Sequence, residues 1–199
     1  MKVSTRNITR FAVLAAIAVI LAFTSLGYIQ IGPFAVTILH LPVIVGAIVM
    51  GPAAGAGLGA VFGLCTFIKS FSSDQLGVLL MQISPFKLFI TTVVTRTLMG
   101  FLVAIIFKAL HDGAGLKKAS YVIASTCGAL LNTIFFMSTL FLLFGTETAF
   151  LDYVQIETVT IGAIIALIGL NGVLETVVCL LFGFVVERVD AVVKKNNEN

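Results

Sequence analysis

The chain has no tryptophan, only two histidines and four prolines, and charge on only 11% of its 199 residues. Soluble domains carry about 25% charged residues, so a water-soluble globule is excluded. Cysteine is scarce too. Cys65, Cys127 and Cys179 all lie inside apolar runs and are odd in number, so they read as small buried hydrophobes and not as a disulfide framework. His40 and His111 are expected on opposite sides of a membrane, which leaves no pair to hold a metal. The H-E-x-x-H, P-loop and G-x-S-x-G patterns are missing, so nothing in the chain predicts hydrolysis of ATP or acyl groups. No catalytic residue and no cofactor is expected. A net charge of only +3 gives no reason to expect nucleic acid as a partner.

What is present is apolar sequence: 59% hydrophobic residues and a mean hydropathy of +1.15. A helix needs about 20 apolar residues to cross the hydrocarbon. Runs of that kind fall near residues 8–26, 36–50, 53–71, 85–110, 120–144 and 159–189. The second is short and carries Pro42; the last is too long for one bilayer and is expected to project. The N-terminus resembles a signal peptide but lacks an A-x-A-like cleavage site, so an uncleaved span is expected. Of twelve Lys and Arg, nine precede the first run, flank the gap between the fourth and fifth, or follow the last. Cytoplasmic loops retain Lys and Arg. The expected fold is therefore all-α: one domain over residues 1–199, a compact bundle of six transmembrane helices with both termini cytoplasmic. Between the spans, residues 27–33 read as an outer turn, Gly51-Pro52 as a tight inner turn, 72–84 as a polar outer loop and 145–158 as an acidic one containing Glu147, Asp152 and Glu157.

Gly51, Gly55, Gly59 and Gly63 recur every fourth residue, a spacing that lets helix backbones approach closely in lipid. Packing within the chain is favoured over packing on a second protein. Ala12, Ala16, Ala18 and Ala22 form a looser stripe on the first helix. It fits either a partner surface or plain helix-forming alanine.

The costlier residues are polar. Arg96 lies on the order of 16 Å along the fourth helix and must face the interior, water or a partner. It serves either as one half of an ion pair with Glu175 or as the counter-charge for an acidic ligand. Lys69 ends the third helix and Lys87 opens the fourth, adding positive charge near the outer face, where helix N-termini also favour anions. Thr37 and His40 begin the second helix, Gln82 lies in the outer loop, Asn132 is in the fifth helix, and Asn171 and Glu175 share a face of the sixth. The candidate binding set is thus Thr37, His40, Lys69, Gln82, Lys87, Arg96, Asn132, Asn171 and Glu175. Against it stand bland readings: interhelical hydrogen bonds for the asparagines and snorkelling for Lys69.

The run TILHLPVIVGAIVMGPAAGAGLGAVFGLCTFIKSF, residues 37–71, with the Ala-rich first helix and six-span layout, resembles the substrate-binding S components of energy-coupling factor (ECF) vitamin transporters. The resemblance implies a six-helix bundle that binds a vitamin or precursor from outside, in the outer half of the membrane under the loop joining the first two spans. It implies a shared transmembrane coupling subunit and two ATP-binding subunits as partners. It also implies that small residues on the first helix, here Ala12, Ala16, Ala18 and Ala22, contact the coupling subunit. The segments TILHLPVIVGAI and FGLCTFIKSF are most similar to the pantothenate-type branch, whose carboxylate suits Arg96, Lys69 or Lys87. Riboflavin, pyridoxine and hydroxymethylpyrimidine remain open as ligands. Two other readings are an intramembrane enzyme using Glu175 and His40, argued against by their different depths, and a membrane assembly protein without transport.

Overall fold

A computed structural model describes residues 5–24, 27–31, 34–72, 74–154 and 161–198. Helix α1 (Thr5–Phe23) is followed by a two-stranded antiparallel hairpin, β1 (Tyr28–Ile31) and β2 (Phe34–Thr37), registered with Tyr28 opposite Thr37. Helices α2 (His40–Met50) and α3 (Pro52–Lys69) come next, then a short α4 (Gln75–Ile83) and a long α5 (Pro85–Gly113). Helices α6 (Ala119–Phe144), α7 (Thr148–Val154) and α8 (Ile161–Glu198) complete the described chain. Four of the described helices, α1, α3, α5 and α6, are long and apolar enough to cross a membrane. At 38 residues, α8 runs on the order of 57 Å, longer than a bilayer's hydrocarbon core.

Two expectations are corrected. The second run is not a full-length span: α2 has 11 residues, about 16 Å, and the hairpin occupies the sequence ahead of it. Ile29 and Ile31, then Phe34 and Val36, alternate on either side of Gly32-Pro33 and suit a hairpin better than a helix. The stretch expected as a polar outer loop contains α4, whose Leu76 and Leu80, one turn apart, are buried. They pack with Leu88, Phe144 and Phe150, so α4 and α7 together cap this end of the bundle. It is called here the hairpin end, and the opposite one the turn end.

α2 is the central post. It is apolar all round, as a helix with no solvent face should be, and Val43, Ile44, Ala47 and Ile48 are buried among α1, α3, α5, α6 and α8. Gly51 breaks it at φ +90°, a conformation few other residues tolerate, and Pro52 starts α3. The glycine ladder then lies against α5. A Cβ on Gly55 would strike the Gly100 carbonyl, one on Gly59 the Arg96 carbonyl, and one on Gly63 the backbone of Thr92 and Val93. This contact lies within the chain, as favoured. α5 does not run evenly: it widens into π-helical turns at Ile90–Val94 and Ala109–Gly113. The first lies immediately before Arg96.

Candidate functional site

Glu175 on α8 gathers the hairpin and α6. Its Oε1 accepts from the Thr37 backbone N–H at 3.1 Å, and Oε2 accepts from the Thr133 hydroxyl at 2.7 Å and the Asn132 amide at 3.4 Å. Thr37 is itself fixed, its hydroxyl donating to the Gly27 carbonyl and accepting from the Leu39 N–H. One turn beyond Glu175, Cys179 Sγ lies 3.0 Å from His40 Nε2. Its reading as a plain hydrophobe is therefore corrected. His40 is wholly buried, and Asn132 Oδ1 finds no hydrogen-bond partner among the described residues.

Arg96 is held differently. Its guanidinium lies between the rings of Phe62 (4.6 Å to the centroid) and Phe136 (4.7 Å), and Nη1 donates to the carbonyls of Thr91 and Thr92. Stacking on two rings is worth up to about 2 kcal/mol each where water is excluded. The salt bridges among the described residues are Lys87–Glu147 and Lys194–Asp190, and the oxygens of Glu175 are occupied as above. The direct Arg96–Glu175 pair weighed from sequence is not the arrangement adopted. Thr91, Thr92, Thr95 and Thr97 each donate a hydroxyl to a carbonyl of their own helix, which leaves those oxygens as acceptors only.

Near Arg96, at the hairpin end, sits Asp74, just before α4. Burial pushes its carboxyl above the usual value; backbone hydrogen bonds from Gly77 and Leu76 and the charges of Lys69 and Arg96 act in the opposite sense. Tyr153 on α7 feels the Asp74 charge in turn, after burial the second cause raising its phenol.

Of the expected binding residues, the structure therefore brings Thr37, His40, Asn132 and Glu175 into one cluster and Arg96 and Lys69 into a second, which the unexpected Asp74 joins. Lys87 is diverted: its ammonium pairs with Glu147 at 2.9 Å, both about one-third exposed. Gln82 is exposed on α4, apart from either cluster. Asn171 lies on α8, but its side chain is outside the described residues. The alanine set divides, with Ala12 and Ala16 exposed and Ala18 and Ala22 fully buried against the core. A partner on α1 would reach only the first two. Sequence reasoning missed Thr133, Cys179, Phe62 and Phe136. Cys179 is four residues after Glu175 and shares its face, a signal that was there to be used.

An apolar bundle with four described helices long enough to cross a membrane defines a class, multi-pass membrane proteins. The comparison with known families is sharper: residues 6–186 match the model of the ECF transporter, substrate-specific component. The chain belongs to that family, and is a multi-pass cell-membrane transport component, not an enzyme. It is also 31% identical over 185 residues to the pantothenic acid transporter PanT of Lactococcus lactis subsp. cremoris (strain MG1363), covering 86% of this chain and 88% of that one.

Proposed function

We propose that this chain captures pantothenate from outside the cell and passes it inward together with a shared transmembrane coupling subunit and two ATP-binding subunits. In this reading the bundle crosses the membrane six times, with the hairpin and α2 sharing one crossing and α8 making the last. The hairpin end faces outward and both termini face the cytoplasm, as the distribution of Lys and Arg favours. The observation that carries the ligand class is the buried Arg96 guanidinium, flanked by two aromatic rings beneath the α4 and α7 cap. A cation at such depth is costly and is characteristic of substrate sites. Pantothenate pairs a carboxylate with amide and hydroxyl groups, which suit Arg96 and the His40–Asn132–Glu175 cluster respectively. The likeness to a pantothenic acid transporter supports the same choice.

The non-helical hairpin adds a physical reason to place the site beside it. Non-helical backbone at membrane depth is tolerated only where protein covers it or a watery cavity adjoins it. Titration calorimetry of purified protein tests the reading: pantothenate is expected to bind below micromolar, with riboflavin, pyridoxine and hydroxymethylpyrimidine far weaker. Tight binding of one of those three with none of pantothenate would move the ligand; binding of none would sink the capture role and favour an assembly protein.

A further inference from the structure

At the turn end, remote from both polar clusters, a cavity of about 630 Å³ opens between α1, the end of α2 and the projecting part of α8. Its wall is two-ended. Arg6, Thr9 and Arg10 from the first turns of α1 form the polar mouth, while Val13, Val49 and Val189 supply apolar surface from the three helices. Arg6 and Arg10 are four residues apart and share a face. They also sit where the α1 dipole adds positive potential. Arg10 Nη1 also donates to Asn7 Oδ1 at 3.5 Å within the same helix.

We propose that this trough seats an anionic phospholipid, its phosphate at Arg6 and Arg10 and an acyl chain along the valine wall. A lipid is the molecule that brings negative charge at the membrane edge with hydrocarbon directly beneath it. Basic pockets between membrane helices bind acidic headgroups by this logic. A second copy of the chain fits less well, because a two-fold contact would bring like arginines toward each other.

Native mass spectrometry of the full chain, equilibrated with equal phosphatidylglycerol and phosphatidylcholine, reads the outcome. Phosphatidylglycerol should be retained preferentially, and Arg6→Gln and Arg10→Gln should each cut that preference about fivefold. Val13→Trp, at a half-exposed position that leaves the charges intact, should displace lipid of either kind. Equal retention of the two lipids by the unaltered chain, an undiminished preference in the doubly substituted one, or a lipid-free dimer would each overturn the proposal. Pantothenate affinity should not change in the arginine variants, so failure of the ligand assignment and failure of the lipid site are separately visible.

Discussion

Glu175 and Arg96 are both buried in the bundle, yet they meet burial in opposite ways. Glu175 is answered by donors from two other elements, the Thr37 N–H at the end of the hairpin and the Asn132 and Thr133 side chains of α6. Arg96 bonds to carbonyls of its own helix and lays its faces on rings from α3 and α6. The first arrangement is a tie between elements. The second fixes the plane of a cation by ring stacking and by carbonyls of its own helix, with the Asp74 carboxyl near enough to feel its charge. The role of a buried charge thus follows from the groups that satisfy it, not from its depth alone.

The largest effect should come from cutting the tie. Glu175→Ala strands the Thr37 N–H and the Asn132 and Thr133 donors, and hydrogen bonds to charged groups are worth about 1.5–3 kcal/mol each. A stability loss of about 3 kcal/mol or more in detergent, with Glu175→Gln losing less, is the expected outcome of a denaturation series. An alanine variant as stable as the parent would show that Glu175 is not a tie.

Arg96 should show the reverse pattern. Arg96→Ala is expected to weaken pantothenate about 100-fold, equivalent to about 2.7 kcal/mol. Arg96→Lys should recover little, since an ammonium lacks the planar faces that stack on Phe62 and Phe136. Stability effects of Arg96→Ala and Glu175→Ala should depart from additivity by no more than about 1 kcal/mol, because both charges act on the buried His40 but the two side chains share no hydrogen-bond partner among the described residues. Marked recovery in the double variant would restore the ion pair and erase the contrast.

How much of this was legible in the sequence follows from which contacts are local. The glycine ladder was readable because a four-residue repeat of the smallest side chain has one use in lipid. Arg96 and Glu175 stood out because charges are rare in apolar helices. Their surroundings did not. Phe62 and Phe136 are two of 17 phenylalanines, and nothing local distinguishes them. The pairing of Lys87 with Glu147 spans 60 residues and turns a supposed field source into a clasp between helix ends. Ala12 and Ala18 are six residues apart, hence on different faces of α1, and only tertiary packing settles which face is outward. The hairpin was hidden because four-residue strands give too few alternations to outweigh a hydrophobic run.

The glycine ladder sharpens the comparison from the packing side. Gly59 rests on the carbonyl of Arg96 itself, so Gly59→Ala must push α5 away at that residue. Overpacking of this kind costs about 1–3 kcal/mol. Pantothenate binding should weaken along with stability, because the cation moves with its backbone. Gly113→Ala, in open surroundings at the far end of the same helix, should change neither. Equal behaviour of the two variants would show that Arg96 does not depend on the α3 contact for its position.

The smallest effect is a pH dependence, and it separates the two centres most cleanly. Burial is the main cause holding the Asp74 carboxyl above its ordinary value of 3.8, while Lys69 and Arg96 pull it down. A raised acid binds its proton more tightly folded than unfolded. The Asp74 contribution to stability should therefore be greatest at low pH, fall as pH rises from the ordinary value through the raised one, and level off above it. Asp74→Asn should flatten that slope. Arg96→Ala removes one of the two opposing charges, so the window should widen upward, whereas Glu175→Gln, at a carboxylate not among the causes acting on Asp74, should leave it unchanged. A stability-against-pH series on the three variants decides this. If Glu175→Gln moves the window as far as Arg96→Ala does, the two centres act as one electrostatic unit and the distinction drawn between tie and poised cation falls.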